Sequence, residues 1–89
     1  MFMSKLPMMP KETQRIQLKP NIAQSFDTKS RYCLLQILGG HVYMTGGPGP
    51  ATNEDFPIPI GTLLEFTGEV SLISTPGDAD VRILYYDVI

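Results

Sequence analysis

Apolar and polar positions alternate with a period of two residues along most of this chain, which is the spacing of side chains in a β-strand. Residues 79–88 show the alternation best. One side of that segment carries Val81, Ile83 and Tyr85, and the other side carries Arg82, Leu84 and Tyr86. Residues 13–18 alternate in the same way and predict a first strand at the periphery of the fold.

The strongest predicted strand is 31–38, whose sequence RYCLLQIL is apolar on both faces. Such a pattern is typical of a strand that is covered on both sides of its sheet. The pair Gly39-Gly40 follows this strand and precedes a second apolar segment at 41–45. Because two glycines between two strands are a common hairpin turn, the pair predicts a β-hairpin.

Proline and glycine divide the rest of the chain into further short strands. These are 56–60, 62–67 and 69–74, and a Pro-Gly turn at 75–78 precedes the last strand. Residues 21–27 are predicted to hold one helical turn, and no segment has the length and period of a longer helix. Six or seven short strands separated by turns predict an all-β fold, a small antiparallel β-sandwich or jelly-roll-like barrel.

The first eleven residues have neither a helical nor a strand period. They contain four Met, one Phe and two Pro, and Pro7 and Pro10 exclude a helix. Two interpretations stay open, a disordered terminus or an extended arm whose apolar side chains become ordered on a partner. We therefore predict an extended N-terminal arm over residues 1–11 and a β-sandwich domain over residues 12–89.

The composition narrows the class of protein. A domain of 89 residues buries only about 60–65% of its unfolded surface, and domains this small usually add disulfides, a metal or partner subunits. One Cys and one His leave oligomerisation as the expected source of stability. With a net charge of −2 and no basic stripe, nucleic acid is not an expected partner. No signal peptide or membrane-spanning run is present in the sequence, so no membrane association is expected.

Few residues suggest catalysis or metal binding. Cys33 and His41 lie on the two strands of the predicted hairpin, but too far apart for a nucleophile and its base. The acidic pairs at 78–80 and 54–55 lack the further ligands of a calcium loop, and Asp78 is expected to close the Pro-Gly turn instead. We predict that the protein is not an enzyme and has no metal site and no cofactor.

The longest predicted loop is 46–55, which begins GGPGP. It is not a phosphate-binding loop, because it lacks the Lys-Ser/Thr pair and a following helix. Two interpretations stay open, a mobile loop or a loop that contacts a neighbouring subunit. Among the tyrosines, Tyr85 and Tyr86 must face opposite sides of their strand, so one of them is expected at an interface or in solvent.

Four segments carry a connected set of motifs. They are YCLLQIL at 32–38, VYMTGG at 42–47, FPIPIGTL at 56–63 and ADVRIL at 79–84. In this order they resemble a family of small β-sandwich virion proteins of tailed bacteriophages, and the resemblance covers residues 30–88. The Met- and Pro-rich residues 1–11 are not part of that pattern.

The resemblance implies a virion structural protein without catalysis, of the capsid decoration (cement) type. Such proteins are small, β-rich and often trimeric, and their terminal arms reach across neighbouring capsid subunits. The implied partners are the major capsid protein and further copies of this chain, with a trimer favoured. The implied location is the capsid surface of a virion that assembles in the host cytoplasm, a reducing compartment that suits the unpaired Cys33.

Apolar side chains are the expected contacts with these partners. The arm residues are Phe2, Met3, Leu6, Met8 and Met9, and the body residues are Tyr43, Tyr86 and Ile89. Two alternatives stay open. One is a neck or tail adaptor or fibre-attachment component of a phage virion, and the other is a cellular carbohydrate- or peptide-binding module that uses Tyr43.

Overall fold

A computed structural model describes residues 8–88, which form eight β-strands joined by turns and loops, and no helix occurs within this range. The strands are β1 (Met8–Leu18), β2 (Gln24–Asp27), β3 (Tyr32–Gly39), β4 (Val42–Gly46), β5 (Phe56–Ile58), β6 (Leu63–Phe66), β7 (Glu69–Ser74) and β8 (Ala79–Val88). The all-β fold predicted from the alternation is confirmed.

The strands form two four-stranded antiparallel sheets. One sheet has the order β1-β8-β3-β6 and the other has the order β2-β7-β4-β5. The pairs β1–β8, β2–β7, β3–β6 and β4–β5 are those of one long antiparallel hairpin whose turn lies between β4 and β5. Rolling that hairpin adds the contacts β3–β8 and β4–β7 and produces the jelly-roll form of a β-sandwich.

The core lies between the two sheets and is built from alternate residues of the central strands. β3 and β8 show this clearly, because every second side chain of each strand faces inward. The largest fully buried apolar side chains are Leu18, Leu35, Ile37, Val42, Leu72, Val81 and Ile83. This alternation fixes which side of β8 faces the partner sheet, and Tyr85 is buried while Tyr86 faces outward, as the sequence predicted.

The predicted hairpin at Gly39-Gly40 is wrong, because β3 and β4 belong to different sheets. Gly40 has φ +93°, and a Cβ atom there would lie 2.5 Å from the carbonyl oxygen of Asp78 and 2.7 Å from Cα of Ala79. The glycine therefore permits a close crossing beside the start of β8. The chain crosses there from one sheet to the other.

The helical turn predicted within 21–27 is also wrong. Gln24–Asp27 is the edge strand β2, and it pairs with β7 so that Phe26 lies opposite Val70 and packs against the core. Asn21 has φ +63° and donates its backbone N–H to the carbonyl of Ser74 at 2.8 Å. The sharp change of direction occurs at this one residue, so the following residues are free to be extended.

The first strand begins earlier than the sequence predicted. Met8–Leu18 is an edge strand, and residues 8–11 of the predicted arm belong to it. Met8 pairs with Val88 and Pro10 with Tyr86, and the register shifts at a bulge between Pro10 and Glu12. The sheet thus extends past the predicted boundary between arm and domain, and residues 1–7 lie outside the described range.

Candidate interaction surface

The sheet β1-β8-β3-β6 carries apolar side chains on the side that faces away from the core. On β3, Leu34 is half-buried and Leu38 is 46% exposed, although the core side of the same strand is fully buried. Among residues 8–88 no third layer packs over this side. The expectation that β3 is covered on both sides is therefore wrong for the part of the chain that the structure describes.

Strand register brings these outward side chains together. The opposed pairs are Tyr32 with Tyr86, Leu34 with Leu84, and Gln36 with Leu63. Because directly opposed residues of antiparallel strands lie on the same face, they form one continuous surface. We call this surface the outer face, and its apolar members are Tyr32, Leu34, Leu38, Leu63, Leu84 and Tyr86.

Polar side chains share the outer face with these apolar residues, since Gln36 lies opposite Arg82 and Glu65 lies opposite Leu34. The Tyr32 hydroxyl donates a hydrogen bond to Oε1 of Glu65 at 2.8 Å, and this bond to the carboxylate raises the pKa of Tyr32, with burial adding to the effect. Nη1 of Arg82 lies 3.2 Å from Oδ1 of Asp80. Such a mixture of apolar and polar side chains is compatible with a protein–protein interface, which as a whole is about as apolar as the rest of a protein surface.

Arg31 lies just before β3 and forms ion pairs with Asp87 of β8 and Glu12 of β1. Its Nε lies 3.1 Å from Oδ1 of Asp87, one Nη lies 3.4 Å from Oε1 of Glu12, and the guanidinium sits 4.7 Å from the ring centroid of Tyr85. Burial lowers the pKa of Arg31, but the two carboxylates raise it further, so the net shift is upward. The Tyr85 hydroxyl donates to Oε1 of Gln14 at 2.6 Å.

An open cavity of about 450 Å³ lies beside Arg31. Its lining includes Glu12, Asp27, Lys29 and Arg31. Asp27 already accepts a hydrogen bond from the backbone N–H of Lys29 at 2.9 Å, and Arg31 is paired as described above. A charged ligand would have to displace this hydrogen bond and the ion pairs of Arg31, so the cavity is a weak candidate for a binding site.

The structure does not bring Cys33 and His41 together. Cys33 is fully buried on β3, and His41 is exposed just before β4 in the other sheet. The six residue steps along β3 from Cys33 to Gly39 alone span about 20 Å. Burial raises the pKa of the Cys33 thiol to about 11, and nearby Arg31 lowers it only in part. The thiol is therefore neutral at physiological pH and a poor nucleophile.

Three of the four acidic residues considered for calcium have side-chain partners in the protein. Asp80 pairs with Arg82, and Oδ2 of Asp78 accepts a 3.4 Å hydrogen bond from Gln17. Oδ2 of Asp55 accepts hydrogen bonds from the backbone N–H and the hydroxyl of Thr52 at 2.7 and 3.2 Å. Within residues 8–88 no group of three or more acidic, His or Cys side chains converges on a possible metal position.

The loop 46–55 is folded back against β7, so the interpretation as a mobile loop does not fit its contacts. The buried backbone N–H of Ala51 donates to Oγ of Ser71 at 3.0 Å, and Gly47 donates to the carbonyl of Glu69 at 2.7 Å. The Ser25 hydroxyl donates to the carbonyl of Pro48 at 2.7 Å. The loop covers part of the outward side of the second sheet.

Tyr43 lies on β4 on the outward side of the second sheet and is half-buried. It lines a small cavity of about 160 Å³ together with His41, Pro57 and Pro59. Cavities that enclose small-molecule ligands usually measure about 300–1,000 Å³. The site offers an aromatic ring and two prolines, but little room for a sugar.

The structure places the predicted contact residues in different parts of the molecule. Met8 is half-buried and Met9 is 41% exposed. Both lie at the start of β1, where it pairs with the end of β8. Tyr86 belongs to the outer face, and Tyr43 lies on the opposite side of the molecule. Phe2, Met3, Leu6 and Ile89 lie outside the described residues.

Sequence reasoning missed five of the six apolar members of the outer face, among them Leu34, Leu63 and Leu84. Their signal was present, because β3 and β8 are apolar on both sides in the sequence. A strand with apolar side chains on both sides is expected to have another layer packed against each side. Residues 8–88 supply that layer only on the core side.

Comparison with models of protein families, with curated proteins and with solved structures returns no match in any of the three. Among the described residues no helix is long and apolar enough to cross a membrane.

Proposed function

We propose that this chain is a non-enzymatic virion structural protein, a capsid decoration protein that bridges and stabilises major capsid subunits. The observation that carries the proposal is the outer face, a surface with exposed leucines on a small jelly-roll domain. The resemblance of residues 30–88 to small β-sandwich virion proteins of tailed phages supports the same assignment.

The physical reason lies in the size of the domain. A core of this size leaves a narrow margin of stability, and burial of further apolar surface against another chain widens it. Leu63 is 62% exposed and Leu38 is 46% exposed. Complete burial of a leucine side chain is worth about 1.5–3 kcal/mol, so covering these two alone contributes about 2 kcal/mol before the entropy of association is subtracted.

A decoration protein has to bind an assembled shell rather than a free subunit. The test is to add the purified chain to shells assembled from the major capsid protein encoded in the same genome and to sediment the mixture. The chain is expected to co-sediment with shells at a constant ratio to the capsid protein, and Leu84→Glu is expected to weaken this binding. Ile22→Glu, at a 57% exposed site away from the outer face, is the matched control.

Absence of the chain from the sedimented shells would contradict the proposal. Binding of only a few copies per shell would favour the alternative, a neck or tail component of the same virion. Binding of hundreds of copies would agree with a decoration protein.

A further inference from the structure

The two sheets end in four edge strands, and β6 differs from the other three. β1 contains a bulge between Pro10 and Glu12, and β5 contains Pro57. Prolines and bulges prevent a further strand from pairing with an edge. β2 is short and has one apolar residue in its sequence QSFD. β6 is equally short, but three of the four residues of its sequence LLEF are apolar, and within residues 8–88 it pairs only with β3, without a bulge.

The register between β3 and β6 fixes which side chains of β6 face the core. Leu64 lies opposite Leu35, and Phe66 lies opposite Cys33. Because Leu35 and Cys33 are fully buried between the sheets, Leu64 and Phe66 face inward as well and pack against the core. Both are only half-buried. The core is therefore incompletely covered on the β6 side of the sandwich.

The adjoining edge of the second sheet also leaves an inward side chain exposed. β5 and β6 are joined by the turn 59–62, in which the N–H of Thr62 donates to the carbonyl of Pro59 at 3.2 Å, so the two strands lie on the same side of the sandwich. Phe56 shares the inward side of β5 with the buried Ile58, yet Phe56 is 62% exposed. We call these exposed or half-buried inward residues the edge cluster, which consists of Phe56, Leu64 and Phe66.

The outward side chains of β6 indicate which strand fits beside it. They are Leu63, which is 62% exposed, and Glu65. Glu65 accepts a hydrogen bond from Tyr32, but no lysine or arginine of residues 8–88 forms an ion pair with it. A basic residue on a neighbouring strand would supply the counter-charge. A second copy of β6 offers no basic residue and would bring another Glu65 to the same edge, where like charges are unfavourable.

We propose that the free edge of β6 binds an extended segment of a different protein by strand addition. The segment presents apolar side chains to the edge cluster, and on its other side an apolar residue beside Leu63 and a lysine or arginine beside Glu65. Backbone hydrogen bonds along β6 provide affinity, and the alternating side chains provide selectivity. This surface goes beyond the proposed function, because it requires neither a capsid nor an oligomer.

A peptide titration of the full-length chain, labelled with nitrogen-15 and followed by two-dimensional NMR, tests the proposal. The peptide Ser-Val-Lys-Val-Leu-Ser carries two valines on one side and a lysine and a leucine on the other. The backbone amide signals of residues 63–66 are expected to shift as peptide is added. Absence of any shift at millimolar peptide, or shifts confined to the other edge strands, would overturn the proposal.

Exchange of charges tests the part played by Glu65. A peptide with glutamate in place of lysine is expected to bind the parent chain about fivefold more weakly. In the Glu65→Lys chain the order of the two peptides is expected to reverse. The same order of affinity in both chains would overturn the proposal.

A pair of variants tests the inward contacts. Phe56→Ser is expected to weaken binding of the lysine peptide about tenfold, because the valines lose an apolar neighbour. Ile22→Ser, at a 57% exposed site outside the edge cluster, is the matched control and is expected to bind like the parent. Circular dichroism checks that both variants fold. Equal affinities in the two variants would overturn the proposal.

One further control separates a foreign strand from a second copy. Without peptide, the amide signals of residues 63–66 are expected to stay in place when the chain is diluted. Shifts of these signals on dilution would overturn the proposal, because another copy of the chain would then occupy the edge. Since the titrations contain only the chain and a peptide, failure to bind capsid shells is a separate result.

Discussion

Replacement of Gly40 by alanine tests the crossing of the chain between the two sheets. The added Cβ atom would lie 2.5 Å from the carbonyl oxygen of Asp78, and φ at Gly40 is +93°. Gly61 is the matched control, because its φ is +85° and a Cβ atom there meets nothing within 4 Å. Both substitutions share the cost of a left-handed backbone, about 1–2 kcal/mol, and only Gly40→Ala adds a backbone clash.

The expected difference in the free energy of unfolding between the two variants follows from the geometry at Gly40. Overpacking typically costs about 1–3 kcal/mol, and here the obstructing atoms belong to the backbone of β8 and cannot rotate away. We expect Gly40→Ala to lose about 2–5 kcal/mol and Gly61→Ala about 1 kcal/mol. For a domain of this size each kcal/mol lowers the Tm by about 4–8 °C, so the two variants differ by at least about 4 °C.

The assay is urea unfolding of both variants followed by far-ultraviolet circular dichroism, with thermal unfolding as a check. Equal losses in Gly40→Ala and Gly61→Ala would refute the reasoning. Such a result would mean that Gly40 does not pass close to β8, as in the simple hairpin that the glycine pair suggests.

Further predictions concern the core, the folded loop and the buried thiol. Leu72→Ala should lower the free energy of unfolding by about 2–5 kcal/mol and Ile60→Ala by less than about 0.5 kcal/mol in urea titrations, since the first is fully buried and the second is 58% exposed. Ser71→Ala should cost about 1–3 kcal/mol in the same assay, because the buried N–H of Ala51 loses its acceptor, and an unchanged midpoint would mean that the loop is not held on β7. The folded pKa of Cys33, about 11, lies above its ordinary value of 9.0, so its contribution to stability is complete below pH 9 and is lost as the pH rises toward 11. Cys33→Ala should therefore flatten the decline in unfolding midpoint between pH 9 and 11, and an identical decline in both proteins would contradict the assignment.

The fold class could be predicted because the period of two residues is a local property of the sequence. Each such strand shows its own alternation of apolar and polar residues, as the segment containing Val81 and Ile83 does. The pairing of strands is not local. A glycine pair marks a change of direction equally well in a hairpin and in a crossing between sheets, and only the contact of Gly40 with Asp78 distinguishes the two cases.

Short edge elements were the hardest to predict. β2 has only four residues, QSFD, too few to show a period, and it is extended because β7 offers it a partner. The start of β1 shows no strand period and contains Pro10, so the sequence predicts an arm there, although proline is compatible with an edge strand.

The candidate surface was predictable only in part. The alternation predicts that Tyr85 and Tyr86 face opposite sides and that one of them lies at an interface or in solvent, and Tyr86 is the one predicted as a contact. The sequence does not mark Leu34 and Leu84 as contacts, because apolar residues on both sides of a strand equally indicate a strand buried within one chain. Their position opposite each other depends on the β3–β8 register, which no short segment of sequence contains.

The most direct test of the account is the mass of the full-length chain under native conditions, measured by native mass spectrometry or by light scattering at several concentrations. The small size of the domain predicts that copies of the chain associate, so the expected mass is a whole multiple of the 9.9 kDa chain, a trimer. A parent protein that remains at 9.9 kDa at all concentrations would contradict the central claim.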